Sequence, residues 1–160
     1  MRIGQGIDFH RFIADQPMKL GGVTIESDVG LLGHSDADVL LHALSDAILG
    51  GCGLGDIGLH FPDNDPAYQG ADSGLLLKEV LNLIQDSYFL VNVDLTIIGE
   101  KPKIHPYREE IRDHVATLLD LESSRVNVKA TTSEGMGALG RAEGLCAMAV
   151  VLLEEKNGSL

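Results

Sequence analysis

Between Val91 and Thr132 the hydrophobic period of the chain switches twice, and this limits the available folds more than any other feature. Val91-Asn92-Val93-Asp94-Leu95-Thr96-Ile97 alternates with the period of two of a strand, His105 to Leu119 carries helical spacing, and Arg125 to Thr132 returns to a strand. Two strands separated by a helix of this length form a parallel pair joined by a crossover. Leu145 to Glu154, apolar at nearly every position, reads as a strand buried on both faces. Arg2 to His10 reads as another strand. A first helix is expected from near Ser35 or Asp36 to the Gly50-Gly51 stop, and a second from about Ser73 to Asp86, with Leu76, Leu77, Val80, Leu81 and Ile84 as its apolar stripe. Lys19 to Thr24 has the two-glycine centre of a tight hairpin. Gly51 to Gly70 is a glycine-rich loop of a length that usually carries function. The expected fold is α/β, an α+β sandwich in one domain spanning 1–160, with a four-stranded mixed sheet of ferredoxin-like topology and helices on one face. Three helices cannot cover both faces of such a sheet, so the free face is expected to meet another subunit in a cyclic oligomer.

Composition narrows the partners. The 160 residues carry 24 acidic against 12 basic side chains, a net charge of -12, with no basic run and few aromatics. That balance argues against nucleic acid and anionic membranes, and it requires metals and backbone amides to supply the positive field for any phosphorylated ligand. Cys52 and Cys146 lie outside any Cys-x-x-Cys pair and read as reduced, partly buried fillers, which fits the cytosol. The longest apolar stretch, Leu145 to Leu153, is too short to span a bilayer, and Asp8 and His10 stand where a signal peptide needs an apolar core.

The chemistry-bearing residues form several groups. On a strand, Asp8 and His10 share one face and Ile7 and Phe9 the other. His42, on a helix with Val39, Leu40, Ala43 and Ala47 at core spacing, can supply a third ligand from a rigid element. A carboxylate and two imidazoles with an open fourth position suit a catalytic divalent ion such as zinc; an edge pair or a capping group is the alternative for Asp-x-His. Ser35 and Asp38 have capping-box spacing, although a phosphate held with help from His34 can take the same helix N-terminus. Asp38 and Asp46, four residues either side of His42, are candidates to orient its ring, or are simply solvated helix charges. Gly55 to Asp65 collects carboxylates suited to polyol hydroxyls, or is simply a turn-rich connector. Thr131, Thr132 and Glu134 offer hydroxyls and a carboxylate at a strand end, suited to phosphate and to a hard cation such as Mg²⁺, or make up an ordinary polar strand end. Gly53-x-Gly55-x-x-Gly58 and Gly135-x-Gly137-x-x-Gly140 match dinucleotide-binding spacing without the strand-to-helix context it requires, which excludes a Rossmann unit.

Taken together, Gly6-Ile7-Asp8-Phe9-His10, His34-Ser35-Asp36-Ala37-Asp38 through His42-Ala43, Gly55-Asp56-Ile57-Gly58, Phe61-Pro62-Asp63, Pro102-Lys103 and Lys129 to Glu134 followed by Gly140-Arg141 closely resemble the 2-C-methyl-D-erythritol 2,4-cyclodiphosphate synthase family over nearly the whole chain. The resemblance implies a homotrimer with active sites between subunits, in a bacterial cytoplasm or, with a transit peptide removed, a plastid. It makes Asp8, His10 and His42 the ligands of Zn²⁺ (or Mn²⁺), and Glu134 the holder of Mg²⁺ or Mn²⁺ on the substrate diphosphate. It implies that His34 and Ser35 position the substrate 2-phosphate and that His34 and Thr132 stabilise the transition state. Asp56, Ile57 and Gly58 would contact hydroxyls, and Phe61, Pro62, Asp63, Asn64 and Asp65 would line the polyol part of the pocket. Gly99, Glu100, Lys101, Pro102, Lys103, Ile104 and His105 would form the cytidine pocket, with Thr131, Thr132 and Ser133 at the nucleotide phosphates. Ile7 and Ala138 stand where many members carry Phe beside an isoprenoid-diphosphate cavity, near Arg141 and Glu143, and Glu100-Lys101 replaces smaller or uncharged residues. The implied reaction cyclises a cytidine diphosphate substrate and releases CMP. A zinc-dependent phosphohydrolase and a non-catalytic metal or cytidine-nucleotide sensor are the alternatives.

Overall fold

The computed structural model describes residues 1–62 and 64–156. In chain order its elements are β1 (Arg2–Ala14), β2 (Met18–Leu20), β3 (Val23–Ile25), β4 (Val29–Leu31), α1 (Val39–Cys52), α2 (Ile57–His60), α3 (Ser73–Ile84), β5 (Tyr88–Ile98), α4 (Arg108–Leu119), β6 (Val126–Thr131), α5 (Gly137–Gly140) and β7 (Gly144–Glu155). The main sheet runs β4-β1-β7-β5-β6, and β2-β3 form a separate hairpin. The expected parallel pair is present, with Val93 opposite Val126 and Ile98 opposite Thr131, whereas every other pairing in the main sheet is antiparallel.

Several expectations need correction. The sheet has five strands, not four. β1 continues past His10 to Ala14, and the extra length gives β4 an edge to pair with, Phe12 opposite Leu31. The topology is not ferredoxin-like. That motif is β-α-β-β-α-β, but here α4 connects parallel neighbours and β7 inserts between β1 and β5. Helix α1 starts at Val39 with Asp38 as its cap, so no Ser35–Asp38 capping box forms. The Gly51 to Gly70 loop contains the short α2 and a 3₁₀ turn at Pro66–Tyr68. Another 3₁₀ turn, His105–Tyr107, precedes α4, which is therefore shorter than the sequence suggested.

The helices pack on one face of the sheet, as expected. Val93, Leu95, Val126, Val128, Ala149 and Val151 point toward them and are buried. β7 is buried on that face from Leu145 to Leu153, whereas on the other its burial is incomplete: Cys146 is buried, but Val150 is 42% exposed. On the same uncovered face Ile3, Ile7 and Phe9 are 74%, 45% and 61% exposed. Two glycines on β1 bring α1 onto the strand. A Cβ on Gly4 would lie 1.8 Å from the Ala47 carbonyl oxygen, and one on Gly6 2.0 Å from that of Ala43. This backbone contact sets the first turn of α1, and with it His42, against the next two residues of the same strand face, Asp8 and His10. Among the described residues no helix is long and apolar enough to cross a membrane.

Candidate metal centre

Asp8 Oδ2, His10 Nε2 and His42 Nδ1 converge from β1 and α1, with separations of 2.9 Å (Asp8–His10), 3.2 Å (Asp8–His42) and 3.2 Å (His10–His42). Ligand atoms about 2.0–2.2 Å from a tetrahedral ion stand about 3.3–3.6 Å apart, so a small outward adjustment lets this triangle accept a divalent cation. Among the described residues it is the one cluster of this kind. Neighbouring groups aim each ligand. The other ring nitrogen of His10 faces the Leu32 carbonyl at 2.5 Å, which leaves Nε2 for the centre. Asp8 Oδ1 accepts from the Phe9 amide at 2.8 Å, which leaves Oδ2. His42 Nε2 lies 3.0 Å from the hydroxyls of both Ser35 and Ser73. Neither Asp38 nor Asp46 orients this ring: Asp38 holds backbone amides and Asp46 accepts from the Ile57 amide at 2.7 Å. Ser73 carries no metal-binding motif and was not among the sequence candidates; a helix N-terminus after Asp72 was its sole signal.

Electrostatics couple the pair on β1. Burial opposes ionisation of Asp8, but hydrogen bonds and charge from His10 and His42 outweigh it and hold the carboxyl well below its usual range. Burial likewise pulls His10 down, and the bonds to Asp8 and Leu32 overcome it, so the net shift is upward. In the metal-free chain His10 therefore contributes stability that is complete below an ordinary histidine pKa of about 6.5 and is lost as pH rises through the raised folded value. The Asp8 contribution is lost only in acid. Metal capture needs neutral imidazoles and strengthens over that same upper window. Raising the pH from about 6 to about 8 is expected to lower the melting midpoint of the metal-free chain and to enlarge the stabilisation from added Zn²⁺. Scanning calorimetry checks this, and a Zn²⁺ stabilisation that does not grow with pH would contradict it.

The centre opens into a cavity of about 610 Å³ that receives Asp8, His10, His34, Ser35, His42, Asp46, Ile57, Gly58 and Phe61. Tyr68 also lines it and meets Phe61 edge-on at 5.3 Å between centroids. Asp56 caps α2 through the Leu59 amide at 2.9 Å. Pro62 is half-buried and Asn64 and Asp65 are exposed, whereas Asp63 lies outside the described residues. A second group of candidates assembles elsewhere. The Gly99 amide donates to the Thr131 carbonyl at 3.0 Å, which joins the ends of β5 and β6. Glu100 Oε1 accepts from the Ser133 amide at 3.1 Å, its hydroxyl at 3.2 Å and the Gly135 amide at 3.2 Å. The Thr132 hydroxyl donates to Glu134 at 2.6 Å, and Glu134 adopts a left-handed φ of 54°. Lys101, joined to Pro102 by a cis peptide, lies over the Phe12 ring; Lys103 and His105 are exposed and Ile104 is buried. None of these residues lines the cavity at the metal centre. Ala138 lines a separate cavity of about 490 Å³ with Phe9, Phe12 and Glu143, and Arg141 pairs with Glu143 at 2.6 Å.

Comparison with known proteins places this geometry in context. The YgbB family model matches residues 1–154. The chain is 58% identical over 155 residues to the 2-C-methyl-D-erythritol 2,4-cyclodiphosphate synthase of Geobacillus kaustophilus, covering 96% of this chain and 98% of that protein. Among solved structures, a 2C-methyl-D-erythritol-2,4-cyclodiphosphate synthase in a form bound to CDP superposes with a TM-score of 0.87 at 41% identity, covering 96% of this chain and 100% of that one. The bifunctional IspDF of Campylobacter jejuni superposes with a TM-score of 0.93 at 40% identity; 97% of this chain is covered, but it spans only 42% of the longer protein.

Proposed function

The chain belongs to the YgbB family, and from that premise we propose that it converts 4-diphosphocytidyl-2-C-methyl-D-erythritol 2-phosphate into 2-C-methyl-D-erythritol 2,4-cyclodiphosphate and CMP, an enzyme step of the non-mevalonate isoprenoid pathway. The observation that carries this assignment is the convergence of Asp8, His10 and His42 on a cavity that also receives His34 and Ser35. The names of the relatives favour a synthase over a phosphohydrolase or a nucleotide sensor.

An oxygen of the 2-phosphate attacks the β-phosphorus, the bond from that phosphorus to the bridging oxygen breaks, and CMP departs with the electron pair. A phosphate monoester has a second pKa near ~6, so the nucleophile is already ionised and no strong base is required. The difficulty is bringing two anions together in line. Zn²⁺ (or Mn²⁺) at Asp8, His10 and His42, and Mg²⁺ or Mn²⁺ at Glu134, would neutralise phosphate oxygens when bound. His34 and Ser35 hold the 2-phosphate in line, and His34 and Thr132 donate to charge that develops in the transition state. Asp56 to Gly58 and Phe61 to Asp65 hold the polyol, and Gly99 to His105 with Thr131 to Ser133 hold the nucleotide.

The nucleotide residues and the metal-centre cavity are separate within one chain, and the apolar face of β1 and β7 is uncovered. A homotrimer of single-domain chains, with active sites at the subunit boundaries, accommodates both facts. The bacterial relatives support a bacterial cytoplasm as its location. Mixing subunits tests the shared site. Asp8→Asn and Glu134→Gln chains, each inactive alone, are expected to recover about one quarter of wild-type CMP release when refolded together at equal amounts, because that fraction of boundaries pairs two intact halves. No recovery from confirmed mixed oligomers would overturn the shared site.

A further inference from the structure

We propose that Ser73, Asp36 and Lys19 form a positioning chain that fixes the ring of His42 and sets how tightly the centre holds its ion, a role that rests on the metal-centre assignment above. Ser73 is the first residue of α3 and is 1% exposed. Its hydroxyl lies 3.0 Å from His42 Nε2 and donates to Asp36 Oδ1. The Ser73 amide reaches the same carboxylate oxygen at 3.3 Å. The other oxygen of Asp36 accepts from Lys19 Nζ at 3.2 Å. A hydroxyl has one proton. With that proton given to Asp36, the oxygen of Ser73 can only accept from the imidazole, so Nε2 must carry the N–H and Nδ1 presents its lone pair to the centre. The polarity of the ligand is thus fixed by a lysine on β2, a carboxylate before α1 and a serine on α3.

Ser35 also stands 3.0 Å from Nε2, but it lines the cavity and has substrate as a competing partner. Ser73 does not line the cavity, so a ligand there does not compete directly for its oxygen; its link to the cavity runs through Ser35 Oγ, 3.4 Å away. A purely structural role would be to tie the loop before α1 to the start of α3. The Asp36 amide already does this by donating to the Ala71 carbonyl at 3.0 Å. Residues of this kind that orient a metal-binding imidazole typically change affinity 10- to 100-fold.

The test is titration of the metal-free chain with Co²⁺, followed by visible absorption, beside the melting midpoint of each metal-free variant. Ser73→Ala is expected to weaken Co²⁺ binding by about 10- to 100-fold and to alter the ligand-field bands, with a midpoint close to wild type. Ser73→Thr, which keeps the hydroxyl, is expected to recover most of the affinity. Asp36→Asn, which frees the serine proton to point at the imidazole, is expected to fall between the two. Co²⁺ binding by Ser73→Ala as tight as wild type, or a loss that merely follows a lowered midpoint in all three variants, would overturn the positioning chain. A wild-type chain that binds no Co²⁺ would instead overturn the metal centre itself, and the chain of residues with it.

Discussion

His42→Ala is expected to lose the metal and turnover together while the fold survives. The ring is one of three converging ligands, and the other two sit on a single strand. Two donors spaced along β1 do not close a tetrahedral site, so occupancy at micromolar metal should collapse. A cation that neutralises phosphate oxygens supplies several kcal/mol of transition-state stabilisation, and each 1.36 kcal/mol is tenfold in rate, so turnover should fall by about 10³-fold or more. The fold should persist because the ring is at the cavity wall and the surrounding helix is held by Val39, Leu40, Ala43 and Ala47, all buried. Metal content by mass spectrometry, circular dichroism and CMP release measured on one preparation decide the matter. Full turnover from a metal-free variant would remove His42 from its role, and so would a dead variant that still holds its metal.

Asp38→Ala carries the largest expected effect on stability. Asp38 is fully buried and accepts from the Gly21 amide at 2.9 Å, Gly22 at 2.6 Å, Leu40 at 3.2 Å and Leu41 at 3.1 Å. Burial pushes its carboxyl up from the ordinary range, and the amides of Gly22, Leu41 and Gly21 pull against that shift. One side chain therefore caps α1 and pins the β2-β3 hairpin to it. Alanine leaves these donors without a partner at about 1–3 kcal/mol for each one that water cannot reach, and the lost cap adds about 1 kcal/mol. A total near 3–5 kcal/mol is a large share of the roughly 5–15 kcal/mol available to a domain. Asp38→Asn should recover only part of this, because it turns an N–H₂ group toward amides that already donate. Urea denaturation of the three proteins checks the order wild type, Asn, Ala. An asparagine variant as stable as wild type would show that the amides need only one acceptor oxygen.

These two residues also show how far the sequence reaches. The period of two put Asp8 and His10 on one face, and helical spacing put His42 on a rigid helix able to supply a third ligand; local periodicity is enough for both. The cap of α1 is not legible from spacing. Ser35 and Asp38 fit a capping box by spacing, yet the hairpin glycines that Asp38 also binds lie 16 and 17 residues earlier and compete for the same carboxylate. Ser73 was invisible for a similar reason. It stands 31 residues from His42 and 37 from Asp36, so only tertiary packing brings the three together. β4 escaped notice because three residues, Val29–Leu31, hold too little pattern to separate a strand from a loop. The family resemblance supplied what periodicity could not, namely the expectation that two loops remote from the cavity take part in the chemistry.

The most direct measurement is phosphorus NMR of the purified chain with 4-diphosphocytidyl-2-C-methyl-D-erythritol 2-phosphate and Mg²⁺, beside an identical sample containing chelator. The expected result is a pair of coupled cyclic-diphosphate resonances with CMP in equal amount, both absent with chelator. Folded, metal-replete protein that leaves the substrate intact, or yields only linear hydrolysis products, would contradict the cyclisation.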